Sequence, residues 1–216
     1  LINATKKSFA EICELYVDTT IHRMVVFDKV SNHIHTFVNK NKMDLIVMGS
    51  HGLGKKDSAF AGTNAQDVVR YANCPTLIIK SDEKQEFMPR NITLAFASEK
   101  LAEVSIDFCK KLQASYGSTI NLLEVITLDS FQPSSKVEAR LEKFAKDQEL
   151  DDYTINSYAH YTKEEGILQY VTDHPTDLIV MVTHGKTGVS LMISGSVTET
   201  VANYSPVQVL SFNIHK

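Results

Sequence analysis

The sequence predicts an α/β protein built from two tandem copies of a five-stranded parallel-sheet unit, with the first copy incomplete within the 216 residues. Three observations predict it. The run Asp44-Leu-Ile-Val-Met-Gly-Ser-His51-Gly52 reappears as Asp177-Leu-Ile-Val-Met-Val-Thr-His184-Gly185, 133 positions later, and the same offset carries Gly62 onto Gly195. Such self-similarity at a fixed period marks a duplicated structural unit. Through the second half, apolar runs of strand length alternate with longer stretches of helical periodicity, which is the pattern of a parallel sheet covered on both faces. A Pro-led apolar run closes each copy, Asn73-Cys-Pro-Thr-Leu-Ile-Ile79 and Tyr204-Ser-Pro-Val-Gln-Val-Leu210, at a slightly smaller offset.

In the second copy, Asn91 to Ala97 reads as a strand, Leu101 to Tyr116 as a helix, Thr119 to Thr127 as a strand and Lys136 to Gln148 as a helix. Tyr153 to His160 alternates as a strand does, Lys163 to Thr172 is helical, and Asp177 to Val182 is a continuous apolar strand. Ser196 to Tyr204 lies on a helix, and Val207 to Phe212 is the closing strand. The first copy supplies helix Lys6 to Leu15, strand Thr20 to Val26, helix Lys29 to Asn39, strand Asp44 to Met48, helix Asn64 to Tyr71 and strand Thr76 to Ile79. These include three of the five strands. Leu1 falls opposite Ser134 at the repeat offset, so the expectation is of an N-terminally truncated or proteolysed piece, or of part of a longer chain. The polar, Pro-terminated stretch from Ser81 to Pro89 reads as a connection. The expected division is residues 1–82, a linker at 83–89, and residues 90–216.

Composition excludes several classes. A formal net charge of −4 and no basic run argue against nucleic acid as a partner. Cys13, Cys74 and Cys109 form no CxxC pattern, so neither a disulfide framework nor a zinc site is expected, and a reducing, cytoplasmic location fits. The longest apolar runs, Leu45 to Met48 and Leu178 to Val182, fall far short of the ~20 residues a membrane helix needs.

The chemistry concentrates in one loop. After the strand Asp44 to Met48 come Gly49, Ser50, His51 and Gly52, then nine residues, then Gly62-Thr63, with Asn64 opening the next helix. A loop leaving the carboxyl end of a parallel strand must turn sharply and let its backbone approach a ligand, which glycine does without a Cβ clash. Thr63 and Asn64 sit where free N–H groups and the helix dipole favour phosphate. In the second copy Val182 replaces the first loop glycine, while Gly185, Gly195 and Ser196 keep the rest of the pattern.

Gly-x2-Gly-x9-Gly-Ser/Thr after an Asp-Leu-Ile-Val-Met strand resembles the nucleotide loop of the universal stress protein family, over both copies. The resemblance implies the fold of the adenine-nucleotide α-hydrolases, strand order 3-2-1-4-5, with ATP or AMP at the switch point beside the first strand. It also implies pairing through last strands: dimers in single-unit members, the two repeats with each other in tandem ones, with a homo-oligomer as a further arrangement. On this resemblance Gly49, Ser50 and Gly52 would lie along the ribose and phosphates, while Gly62, Thr63 and Asn64 hold phosphate oxygens. Gly185, Gly195 and Ser196 would be their counterparts, and Val125 matches the family's apolar adenine contact.

This sequence departs from the family pattern at Leu53, where Arg is frequent, and at Ala95-Phe96-Ala97-Ser98, where the family's first strand commonly ends in Pro-Thr-Asp. Only the first repeat keeps the full glycine pattern, so an intact first repeat, with the strand that forms the other wall of its site, is the expected nucleotide site, ahead of the second. His51 and His184 stand about seven extended residues, or ~20 Å, from Asp44 and Asp177, too far to form catalytic dyads. His33 and His35, two apart, fall on different helix faces and suggest no metal. Ser190, Ser194 and Ser196 lie in no GxSxG elbow, and no GxxxxGK[ST] loop is present. The expected function is that of a nucleotide-binding stress-response regulator, not an enzyme; the alternative is a nucleotide-free scaffold made of two degenerate repeats.

Overall fold

The computed structural model describes residues 16, 18–22, 24, 25, 30–50, 63–80, 87–184 and 194–214. Its elements are α1 (Val30–Asn41), β1 (Ile46–Gly49), α2 (Thr63–Tyr71), β2 (Thr76–Ile79), β3 (Asn91–Ala95), α3 (Glu99–Tyr116), β4 (Thr119–Ile126), α4 (Ser134–Asp147), β5 (Tyr153–Ala159), α5 (Lys163–Asp173), β6 (Leu178–His184), α6 (Ser194–Tyr204) and β7 (Gln208–Ile214). The strands form one seven-stranded sheet in the order β1-β2-β7-β6-β3-β4-β5. All neighbours are parallel except β2 and β7. Within the second repeat the order β5-β4-β3-β6-β7 is the 3-2-1-4-5 arrangement.

Local chemistry sets the helix ends. Ser98, in extended conformation, accepts the Leu101 N–H on its hydroxyl and starts α3. Gly117, at φ 64°, ends that helix in the left-handed region, with its N–H donating to Gln113. Thr162 opens α5 the same way, accepting from the Glu165 N–H at 3.2 Å.

Two apolar layers sandwich the sheet. On one face Ile92, Leu94, Ile120, Leu122, Leu178 and Val180 meet Ala102, Ile106 and Cys109 of α3 and Val137, Leu141 and Phe144 of α4. Burial pushes the Cys109 thiol up to about 12, so it is an inert core group. On the other face Ile78, Leu123, Val125, Ile179, Met181 and Val209 meet Ala65 and Val69 of α2, Ile167, Tyr170 and Val171 of α5, and Val201 and Ala202 of α6.

The strand register sharpens the repeat. Ile46 pairs with Thr76 in the first copy and Ile179 with Val209 in the second, so the offset of 133 persists through the last strands. The two prolines do not share it: Pro75 directly precedes Thr76, whereas Pro206 lies three residues before Val209. With that equivalence, the antiparallel pair Leu77↔Leu210 joins a position to its own counterpart, and the flanking pairs Thr76↔Ser211 and Ile78↔Val209 are each other's exchanged versions. A local pseudo-twofold axis therefore passes between Leu77 and Leu210. Side chains obey it too. Lys80 donates its amine to the carbonyls of Ala202 and Asn203 at the end of α6, at 2.5 and 3.0 Å. Its counterpart Asn213 donates to the Arg70 carbonyl at the end of α2, at 2.8 Å. Arg70 also pairs with Glu199 across α2 and α6.

Burial lowers the Lys80 amine to about 8 even though it faces a helix C-terminus, which favours its charge. Between about pH 8 and the ordinary lysine value the unfolded chain binds more protons than the folded one, so this residue's contribution to stability rises with pH across that window. Urea titrations of wild type and Lys80→Met at steps from pH 7 to 10 test it. The stability difference is expected to be flat below about pH 8 and to move in favour of wild type above it.

One predicted strand is absent. Of the segment Thr20–Val26, residues 20–22, 24 and 25 form no strand. At the repeat offset this segment corresponds to β5, whose strand partner is β4, and no strand pairs with it among the described residues. A strand-length run without a ladder does not make a strand. The predicted helix Lys6 to Leu15 lies outside the described residues.

Candidate functional site

In the first repeat, β1 ends at Gly49, and the N–H of Ser50 donates to the Ile79 carbonyl at 2.9 Å. Ser50 is buried; Thr63 opens α2, with Asn64 exposed in its first turn. Residues 51–62, with Gly52 and Gly62, lie outside the described residues, as does Gly185. β1 is an edge strand whose one strand neighbour among the described residues is β2. Val47 is 60% exposed, whereas its counterpart Val180, flanked by β3 and β7 and packed in the core of one sheet face, is 0% exposed. Among the described residues, a crevice beside β1 has one strand wall.

The second repeat has both walls. Strand order reverses between β3 and β6, and the helices that follow them, α3 and α6, cross to opposite faces of the sheet. Divergence of this kind opens a crevice beyond the carboxyl ends of the strands. A cavity of about 100 Å³ occupies it. Leu123 and Val125 of β4 and Met181 of β6 line its inner side, Ile167 of α5 its flank, and Val197 and Thr198 of α6 the side next to Gly195 and Ser196. Those two residues lie in the first turn of α6, where backbone N–H groups lack helical partners.

Gly166 sets the approach of α5. A Cβ built there would stand 2.5 Å from Cγ1 of Val125 and 2.9 Å from Cβ of His160, so only glycine lets the helix come this close to β4. The sequence reading did not single out Gly166, although an isolated glycine inside a helical pattern was the available signal. It also passed over Lys163, the first residue of α5 and the only charged side chain among the described cavity residues.

The four residues in place of the expected acidic strand end have other duties. Phe96 is buried edge-on against Phe144, ring centres 5.1 Å apart. Ser98 caps α3, and Ala97 stands at the cavity rim with Val182. The cavity is thus almost entirely apolar. Asp177 stands at the opposite end of β6, where its carboxylate accepts the Asn91 N–H at 2.8 Å and ties β6 to β3.

The family model described as "Universal stress protein family" matches residues 6–80 and again residues 88–212. The chain belongs to the universal stress protein family. Two matches in succession fit a tandem arrangement. Universal stress protein MJ0531 of Methanocaldococcus jannaschii is 35% identical over 65 residues, covering 30% of this chain and 38% of that protein. A Thermus aquaticus protein named as a universal stress protein in the QAH/OAS sulfhydrylase 3′ region is 51% identical over 39 residues, covering 18% and 28%. The matched stretches thus span well under half the length of these curated relatives. A universal stress protein structure from Archaeoglobus fulgidus superposes with a TM-score of 0.73 at 19% identity, over 98% of this chain and 76% of that one. A functionally unknown protein, PA1789 of Pseudomonas aeruginosa PAO1, superposes with 0.72 at 17% identity, over 98% and 77%. At these identities the two superpositions establish the fold of this universal stress protein. No described helix is long and apolar enough to cross a membrane.

Proposed function

We propose that this universal stress protein binds an adenine nucleotide, ATP or AMP, as a regulatory ligand and does not turn it over at a significant rate. The observation that carries the reading is the switch-point cavity of the second repeat, with Val125 on its inner side and the first turn of α6 beside it. The base would lie against Val125 and Met181. The phosphates would face the N–H groups of Gly195 and Ser196, with Lys163 supplying charge at the rim. Gly49, Ser50, Thr63 and Asn64 form the matching position in the first repeat, where β2 is the one strand neighbour of β1 among the described residues, whereas β6 of the second repeat has a strand on each side. A cytoplasmic, stress-responsive role belongs to the same reading, as does self-pairing of the two repeats through β2 and β7.

The second reading is a nucleotide-free scaffold. Val182 and Ala97 favour it, since both put methyl groups at a cavity already below the ~300 Å³ at which small-molecule sites begin. To separate the two, the purified protein is denatured and the supernatant analysed by mass spectrometry. AMP or ATP near one equivalent per chain is expected; a supernatant free of nucleotide, from a protein giving no calorimetric heat with either, selects the scaffold.

A further inference from the structure

A second and larger cavity, about 660 Å³, opens at the same end of the sheet but on its other face. Val125 and Ile126 are consecutive in β4 and point to opposite faces: Val125 lines the switch-point cavity and Ile126 the base of this groove. The groove therefore lies apart from the proposed nucleotide site. Its rim carries Leu128, Phe131 and Tyr161, which are 82%, 73% and 83% exposed. The short helical turn Leu128–Ser130 holds the first of them outward. That turn is fixed by Thr127, whose N–H donates to the Ser130 hydroxyl at 3.2 Å. On the other wall the His160 N–H donates to the Ile126 carbonyl at 3.0 Å, and the His160 ring meets Tyr161 edge-on at 5.9 Å.

Exposed large apolar side chains gathered round one depression mark a binding surface. The lining also decides the kind of occupant. Phe131, His160 and Tyr161 offer three flat rings, Gln132 and Thr127 offer neutral hydrogen-bonding groups, and none of the described lining residues is Asp, Glu, Lys or Arg. The volume falls within the ~300–1,000 Å³ of small-molecule sites. We infer that this groove is a binding site for a small, neutral, planar aromatic molecule, stacked between Phe131 and Tyr161 and held at its edge by Gln132 or Thr127.

The test uses N-phenyl-1-naphthylamine, a neutral aromatic fluorophore, and indole as its competitor, with the full chain. Wild type is expected to bind the fluorophore saturably at one site, with indole displacing it and amide shifts confined to residues 126–132 and 159–161. Because Phe131 and Tyr161 are mostly exposed, Phe131→Ala and Tyr161→Ala should leave the thermal midpoint nearly unchanged while each weakens binding about tenfold or more. Val125→Ala, in the other cavity, should leave the affinity for the fluorophore unchanged. Binding that survives the Phe131→Ala/Tyr161→Ala double variant overturns the inference, as does a wild type that binds neither probe. Self-association at micromolar concentration that Phe131→Ser abolishes, with no small-molecule binding, would assign the groove to a second copy of the chain and overturn it likewise.

Discussion

Val209→Asp should cost about 4 kcal/mol or more at neutral pH, a large part of the protein's stability. Val209 is 0% exposed, in β7, with Ile78 of the first repeat beside it on one side and Ile179 on the other. The substitution loses roughly 1.5–3 kcal/mol of apolar burial and forces a carboxylate into a layer of Ile, Val, Met and Leu side chains, which adds several kcal/mol more. The total stability of a folded protein is roughly 5–15 kcal/mol. The buried carboxyl would have a raised pKa, so the folded state would bind more protons than the unfolded one and the defect should ease as pH falls toward 5. Urea unfolding followed by far-ultraviolet circular dichroism at pH 7 and pH 5 reads both effects. A loss below about 1 kcal/mol at pH 7 would mean that β7 is not sealed between β2 and β6.

The second large effect concerns Gly166. In a helix interior, glycine to alanine ordinarily gains about 1 kcal/mol. Here the new Cβ would sit 2.5 Å from Val125, a β-branched residue held in a central strand with little rotamer freedom. Overpacking of this kind costs about 1–3 kcal/mol, and the 2.5 Å approach puts the cost toward the upper end of that range, so Gly166→Ala should be destabilising by up to about 2 kcal/mol net. The collision is specific, which makes it checkable by a double-mutant cycle. In a Val125→Ala background the same alanine should be neutral or stabilising, an interaction energy of at least about 1 kcal/mol. Additive effects of the two substitutions would mean that α5 and β4 are not in contact there. Ligand affinity should follow the same pattern, because a displaced Val125 moves into the switch-point cavity.

Much of the second repeat was legible in the sequence. The helix read from Leu101 begins two residues earlier, at Glu99, because Ser98 caps it, and both end at Tyr116. The strands fell within a residue or two of their final bounds, since each is an apolar or alternating run between turn residues. What failed was information that no local segment carries. Thr20–Val26 is a strand-length run ending in Met24-Val25-Val26, yet no ladder partner stands beside it among the described residues. The two-residue displacement of Pro206 relative to Pro75 could be seen only once the register of Ile46↔Thr76 and Ile179↔Val209 was known.

At the site, Val125 was legible as an apolar residue near the carboxyl end of a strand, and Gly195 and Ser196 as a helix start. Ser98 and Phe96 were legible only as departures from an expected pattern; their duties as cap and core became visible in three dimensions. Gly166 and Lys163 were missed because their importance comes from what faces them, His160 and Val125 for the one and the cavity mouth for the other.

The central claim is that the switch-point crevice of the second repeat is the nucleotide site of this chain. Isothermal titration with AMP and ATP on three proteins tests it most directly: wild type, Gly195→Glu, which puts a carboxylate in the first turn of α6, and Gly62→Glu in the first-repeat loop. Wild type should give saturable heat, Gly195→Glu should lose it or bind at least tenfold more weakly, and Gly62→Glu should bind nearly as wild type does. Binding abolished by Gly62→Glu and untouched by Gly195→Glu, or no heat from wild type at all, would contradict the central claim.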